Sequence, residues 1–247
     1  GEEKPRFTDP LGDRISRLEK GAALEVAIGL ARDHEGSTRD FLGFALSQFS
    51  DVEGAIEQLQ DGLRLEDEIQ EMSASEHARL HYLLGGLLVN AARDEEAVPQ
   101  FSSAVQLDPG LLDARIKWGN VLARAGSLSE AIDHYTAVLE IEPRHSAALL
   151  KRASALMALE RGGEARLDLE VLIAVEPSSE AHVRLASLLA EDEPGAAISN
   201  LRAAIDLDQS LEEKVRSLLQ LGSLQVGQSS FEDALASFRL ALELDPR

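Results

Sequence analysis

The stretch FSSAVQLDP at residues 101–109 returns as YTAVLEIEP at 135–143 and as FRLALELDP at 238–246. Each copy opens on an aromatic residue and closes on an acid followed by proline. A wider window shows a period of 34: Ala97, Ala131 and Ala165; Pro109, Pro143 and Pro177; Gly85 and Gly119, with Ala153 next in line. A repeat of this length is one supersecondary unit, and neighbouring units bury their apolar faces against each other. The first helix of each unit carries a small residue where its partner helix crosses: Gly43, Gly85, Gly119, Ala153, Ser187 and Gly222. A bulky residue there would hold the two backbones apart. The second helix carries Ala55, Ala97, Ala131, Ala165, Ala197 and Ala234 at the matching approach. Four residues on, along the same face, stand Leu59, Phe101, Tyr135, Leu169, Leu201 and Phe238. The closing proline stops the helix and starts the next turn.

A 34-residue unit with Leu-Gly early, then Ala-x-x-x-aromatic, then Pro resembles the tetratricopeptide repeat family. The resemblance implies an all-α fold, a right-handed α-solenoid (superhelix) of antiparallel helix pairs. Six units are expected, at 36–69, 78–111, 112–145, 146–179, 180–211 and 215–247. The first has Asp67 in place of proline and is followed by eight extra residues, 70–77, which extend its second helix or form a longer turn. The fifth is two residues short around 191–194, and three more, 212–214, precede the sixth. These irregularities should change the local twist. Residues 1–9 are expected to be disordered or extended. Asp9-Pro10 then starts a helix. Leu11, Ile15, Leu18, Leu24, Ala27 and Leu30 give one long or two short helices that cap the array over 10–35. At the other end the resemblance implies a polar-faced final helix. Leu235, Leu242 and Leu244 lack that cover, which points to a longer parent protein, a partner or a second copy.

Composition excludes several functions. Leu and Ala carry most of the 44% apolar residues, aromatics are 4%, and the formal charge is −20. Such a chain is repelled by bare phosphate backbones and anionic membranes, so no nucleic-acid partner is expected. It has no cysteine, hence no disulfide, thiol catalysis or cysteine-held zinc. No apolar run approaches a membrane span, and GEEKPRFTDP is not a signal peptide. Cytoplasmic placement is expected, or periplasmic if a signal or anchor was trimmed. The five Lys against many Arg suggest a GC-rich bacterial genome.

No catalytic constellation emerges. His77 and His81, four apart beside Glu76, would share one helix face as zinc requires, but neither HExxH nor a third ligand accompanies them. The acidic triplets 66–68, 94–96 and 191–193 lack EF-hand spacing, and the second suits a helix start. Gly85-Gly86 and Gly162-Gly163 lack the lysine of a phosphate loop, and no Ser sits in GxSxG. No metal, cofactor or enzyme activity is expected.

The resemblance implies a ligand groove lined by the first helices. Carried over unit by unit, it comprises Arg79, Tyr82 and Asn90; Asp113, Ile116, Lys117, Asn120 and Arg124; Leu150, Lys151, Ser154 and Met157; then Arg184 and Arg216. Six of these are basic and one is acidic, although acids outnumber bases 44 to 24 in the chain. A basic groove in an acidic body favours an acidic or carboxylate-bearing peptide. Some of these bases are also placed to pair with acids on their own helices. One subfamily clamps chaperone C-terminal carboxylates with a base and two asparagines. Asn120 and Lys151 fit two of its places, but Tyr82, Gly86 and Ile116 stand in others, so that partner is not expected. The reading is a non-catalytic scaffold or adaptor. The alternatives are a self-association module, using the C-terminal repeat, and the interaction domain of a larger enzyme.

Overall fold

The computed structural model describes residues 52–69, 73–208 and 210–245. The expected cap at 10–35, the first helix of the first unit and the closing Pro246 lie outside the described residues. Among the described residues there are eleven α-helices and no strand, joined by short turns. Within each compact part of the chain, helices that are neighbours in sequence pack on one another, the consecutive-pair arrangement that the repeat implies. The chain divides into two compact units, Gly1–Ala125 and Gly126–Arg247.

In the first unit the described helices are α1 (Val52–Ile69), α2 (Ala74–Asn90), α3 (Asp94–Leu107) and α4 (Leu112–Arg124). Helix α2 packs on α1 and α3, while α4 packs on α3 and α2. The core forms where α2 crosses α3. A Cβ placed on Gly85 would lie 2.8 Å from Cε1 of Phe101, so only glycine admits the ring at this crossing. Phe101 is fully buried, with its ring centroid 6.3 Å from that of Tyr82. Burying a Phe side chain contributes about 2–3 kcal/mol, against roughly 1 kcal/mol for a mid-helix glycine. The ring therefore decides the residue opposite it.

In the second unit lie α5 (Leu128–Ile141), α6 (Ser146–Ala158), α7 (Gly162–Val175), α8 (Ser179–Leu189), α9 (Pro194–Leu207), α10 (Leu211–Gly227) and α11 (Phe231–Leu244). Each packs on the next. Gly222 faces Phe238 as Gly85 faces Phe101; its absent Cβ would lie 2.5 Å from the ring. Ala153, Ala165 and Ala197 are fully buried at the other crossings.

One assignment needs correction. Ser187 is exposed, and its hydroxyl donates to the Val183 carbonyl at 3.0 Å. Ala186, 2% exposed, occupies the close approach instead. The fifth unit therefore does not lose both residues around 191–194. It loses one before α8 and a net one after Ala186, where α8 ends two residues sooner than α6 does after Ala153 and the turn is one residue longer. In the turns after α2, α4, α6 and α10, the second residue beyond the helix is left-handed: Ala92 (φ 57°), Gly126 (φ 85°), Glu160 (φ 58°) and Ser229 (φ 59°). The four-residue turn after the shorter α8 has no such residue among those described.

Among the described residues, 74–77 and 212–214 of the insertions are helix. Helices α2 and α10 each have 17 residues, against 13 in α4 and α6. Both begin on serine with glutamate three positions on. The Ser73 side chain accepts from the Glu76 N–H, and the Glu76 carboxylate accepts from the Ser73 N–H at 2.9 Å, which closes a capping box. At α10 the Ser210 side chain accepts from the Glu213 N–H. Residues 74–77 form the first turn of α2, and the 18-residue α1 ends at Ile69, before the insertion.

Candidate functional site

The first helices place the expected groove residues unequally. Tyr82 and Ile116 are 6% and 7% exposed. Tyr82 packs on Phe101 within the core of the first unit, so neither side chain offers a surface to a ligand. Arg79, Lys117 and Asn120 are half-buried, Asp113, Asn90 and Arg124 exposed. Arg124 donates from Nη2 and Nε to the two oxygens of Asp94, at 2.8 and 3.1 Å. In the second unit, Lys151 is exposed, while Leu150, Ser154 and Met157 are half-buried. The Ser154 hydroxyl donates to the Leu150 carbonyl at 2.7 Å.

Arg184 and Arg216 come together. Both line a pocket of about 450 Å³ between α8 and α10. Arg184 donates from Nε and Nη2 to Oε1 of Glu180, at 3.1 and 2.6 Å. Arg216 donates from Nη2 to Oε1 of Glu212 at 3.0 Å, and its side chain is 63% exposed. Exposed pairs four apart on one helix contribute about 0.3–0.5 kcal/mol. An incoming carboxylate can therefore exchange with Glu180 or Glu212 at small cost. Beside this pocket lies one of about 530 Å³, lined mainly by Ala186, Leu201, Leu219 and Leu224. Arg216 and Gln220 border both pockets. The gap follows from helix length: α8 has 11 residues and faces an α10 of 17.

Sequence reasoning missed Leu219, Gln220, Ser223 and Leu224 of this site. Leu219 is 47% exposed on the groove side of α10, an unpaired apolar residue that the helical spacing around Gly222 could have marked. The histidines have a different role. His77 and His81 stack with ring centroids 4.9 Å apart, and His81 Nδ1 lies 2.8 Å from Gln100 Oε1 of α3. His182 and Asn200 repeat that contact between α8 and α9 at 2.8 Å. The acidic triplet 94–96 forms the first turn of α3.

Models of the tetratricopeptide repeat match residues 42–111 and 184–247, and residues 122–188. The chain is 26% identical over 169 residues to a DnaJ homolog subfamily C member 7 homolog of Schizosaccharomyces pombe, covering 61% of this chain and 35% of that protein. It spans between 11% and 36% of the length of the curated relatives it matches. Among solved structures, Pseudomonas aeruginosa PilF aligns with a TM-score of 0.64 at 19% identity, covering 92% of this chain and 94% of PilF. YrrB, described as a TPR protein with an unusual peptide-binding site, aligns with a TM-score of 0.61 at 20% identity, covering 74% and 91%. At these identities the structural likeness shows the fold.

Proposed function

The chain belongs to the tetratricopeptide repeat family, and from that premise we propose that it is a non-catalytic scaffold holding a segment of a protein partner between α8 and α10. Families built on this repeat are generally non-catalytic interaction scaffolds. One observation carries the placement: Arg216 and Gln220 form the wall shared by an apolar pocket and a polar one. A segment with a bulky apolar side chain next to a carboxylate fits both. The apolar group fills the pocket of about 530 Å³, and the carboxylate takes Arg216 from Glu212. Gln220 supplies a side-chain amide for the segment's backbone. The exposed Lys151 favours acidic partners as well.

The test is a synthetic array of twelve-residue peptides that vary acidic and apolar positions, read against wild type and Arg216→Ala. Peptides with adjacent acidic and bulky apolar residues should bind best, and Arg216→Ala should weaken them about tenfold, or about 1.4 kcal/mol. Unchanged binding by a variant with wild-type helical content refutes the placement.

A second reading is self-association through α11. Phe231, Leu235 and Leu242, at 65%, 49% and 61% exposure, share one stripe of that helix. Light scattering across a concentration series decides it, and a strict monomer rules it out.

A further inference from the structure

We propose that the second unit carries another docking site, a cleft between α5 and α7 that takes a basic, amphipathic segment of a protein partner. It is independent of the α8–α10 groove, because no residue lines both.

Two cavities, of about 270 and 420 Å³, share Thr136, Arg152, Leu167 and Asp168, and so form one continuous cleft. Arg152 reaches in from α6 and donates to both oxygens of Asp168 at 2.7 and 2.8 Å, and to Thr136 Oγ1 at 3.1 Å. Asp168 is 4% exposed. This pair fixes the floor and neutralises it, so Arg152 does not serve an anionic ligand. Above it stands Leu167, 62% exposed, with Val171, 40% exposed, one helical turn on. A leucine so open, at the centre of a cleft, is an unfilled contact rather than a scattered surface residue.

The rim sets the sign of the partner. Asp133 and Glu140 both belong to α5, at the two ends of the cleft. Seven residues of helix separate them by about 10 Å. Both are exposed, and neither accepts a hydrogen bond from any described residue; Arg161 attracts Asp133 without bonding to it. The two arginines of the cleft are engaged, Arg152 by Asp168 and Arg161 by Glu164. What remains open is an apolar centre between two carboxylates. In an extended segment residues two apart share a face, and basic side chains two positions to either side of an apolar one stand about 13 Å apart, within side-chain reach of both carboxylates. The net charge of −20 attracts such a segment from a distance. A second copy of this chain carries the same negative charge and is disfavoured as the occupant.

The experiment uses the full chain and an array of twelve-residue peptides permuting Leu, Lys and Glu, with affinities then read by fluorescence anisotropy. Peptides with Lys on both sides of Leu should bind, and their Glu counterparts should not. Leu167→Gln should weaken the Lys-Leu peptides about tenfold, and Arg216→Ala should leave them unchanged. General attraction to an acidic protein is separated by two charge-matched variants, Asp133→Asn/Glu140→Gln and Glu232→Gln/Asp233→Asn. Only the first should lower affinity by more than about threefold, or about 0.7 kcal/mol. The proposal is overturned if no Lys-Leu peptide binds, if both double variants weaken binding equally, or if Leu167→Gln binds like wild type with its circular dichroism intact. Loss on Arg216→Ala would move the peptides to the other groove and equally overturn it.

Discussion

Replacing Gly85 with alanine sets two known effects against each other. Alanine in the middle of a helix is favoured over glycine by about 1 kcal/mol. The new methyl group would stand 2.8–3.0 Å from three atoms of the Phe101 ring, where ordinary contact begins at 3.4 Å. The ring would have to retreat by at least half an ångström. Phe101 is fully buried and borders Tyr82, so it has nowhere to go without moving the crossing of α2 and α3. Overpacking of this kind costs about 1–3 kcal/mol. With about 2 kcal/mol for the clash and about 1 returned by propensity, Gly85→Ala should lose about 1 kcal/mol. Urea titration followed at 222 nm measures it. In a Phe101→Leu background the obstruction is gone, and the same substitution should gain about 0.5–1 kcal/mol. A Gly85→Ala protein as stable as wild type refutes this account of the crossing, as does an equal loss in both backgrounds. Gly222→Ala meets Phe238 at a shorter 2.5 Å, yet should cost less, because Phe238 is only half-buried and can swing outward.

Three further predictions concern turns and ion pairs. Glu160→Gly relieves a left-handed residue, worth about 1–2 kcal/mol, against about 0.5–1 of added chain entropy, so Tm should rise by the equivalent of about 0.5 kcal/mol. Asp168→Ala strands Arg152, whose side chain is 23% exposed, and should cost about 2 kcal/mol by urea titration. Arg152→Met with Asp168→Leu should recover most of that loss. The guanidinium groups of Arg93 and Arg161, hydrogen-bonded to Glu96 and Glu164, hold those carboxyls below their ordinary range. Their stabilisation is therefore complete above the ordinary carboxylate pKa and is lost as pH falls through the lowered values. The Tm difference between wild type and Glu96→Gln/Glu164→Gln should be larger at pH 7 than at pH 3.

Most of the fold is legible because each unit writes its packing as residue type at fixed spacing: Gly85 against Phe101, Ala131 before Tyr135, Pro143 after the helix. The period fails where length changes. Counting forward from Ala153 by one whole repeat selects Ser187, whereas a residue is lost before α8 and Ala186 does the packing. The site is less legible for two reasons. Helical spacing gives a residue's direction but not what its neighbours cover, and so Tyr82 and Ile116 are buried rather than facing a groove. A charge in the sequence also does not show its partner in space. Glu180 and Arg184 are visibly four apart, but Asp94 reaches Arg124 across thirty residues of chain. The α8–α10 pocket is a difference between two helix lengths, which no single residue encodes.

The lengthened helices α2 and α10 carry a consequence for how such a chain tolerates change. Four residues turn an α-helix through slightly more than one revolution. Added ahead of the crossing, they lift the capping serine outward and leave every later side chain pointing as before. Gly85 and Gly222 sit twelve residues into their helices, and Ala153 sits eight into its own, yet each stands twelve residues ahead of the buried alanine of its partner helix, Ala97, Ala234 and Ala165. Length is thus free to vary in whole turns at helix starts and in single residues at loops. A new ledge for a partner can arise from one small insertion, with the packing beneath it untouched.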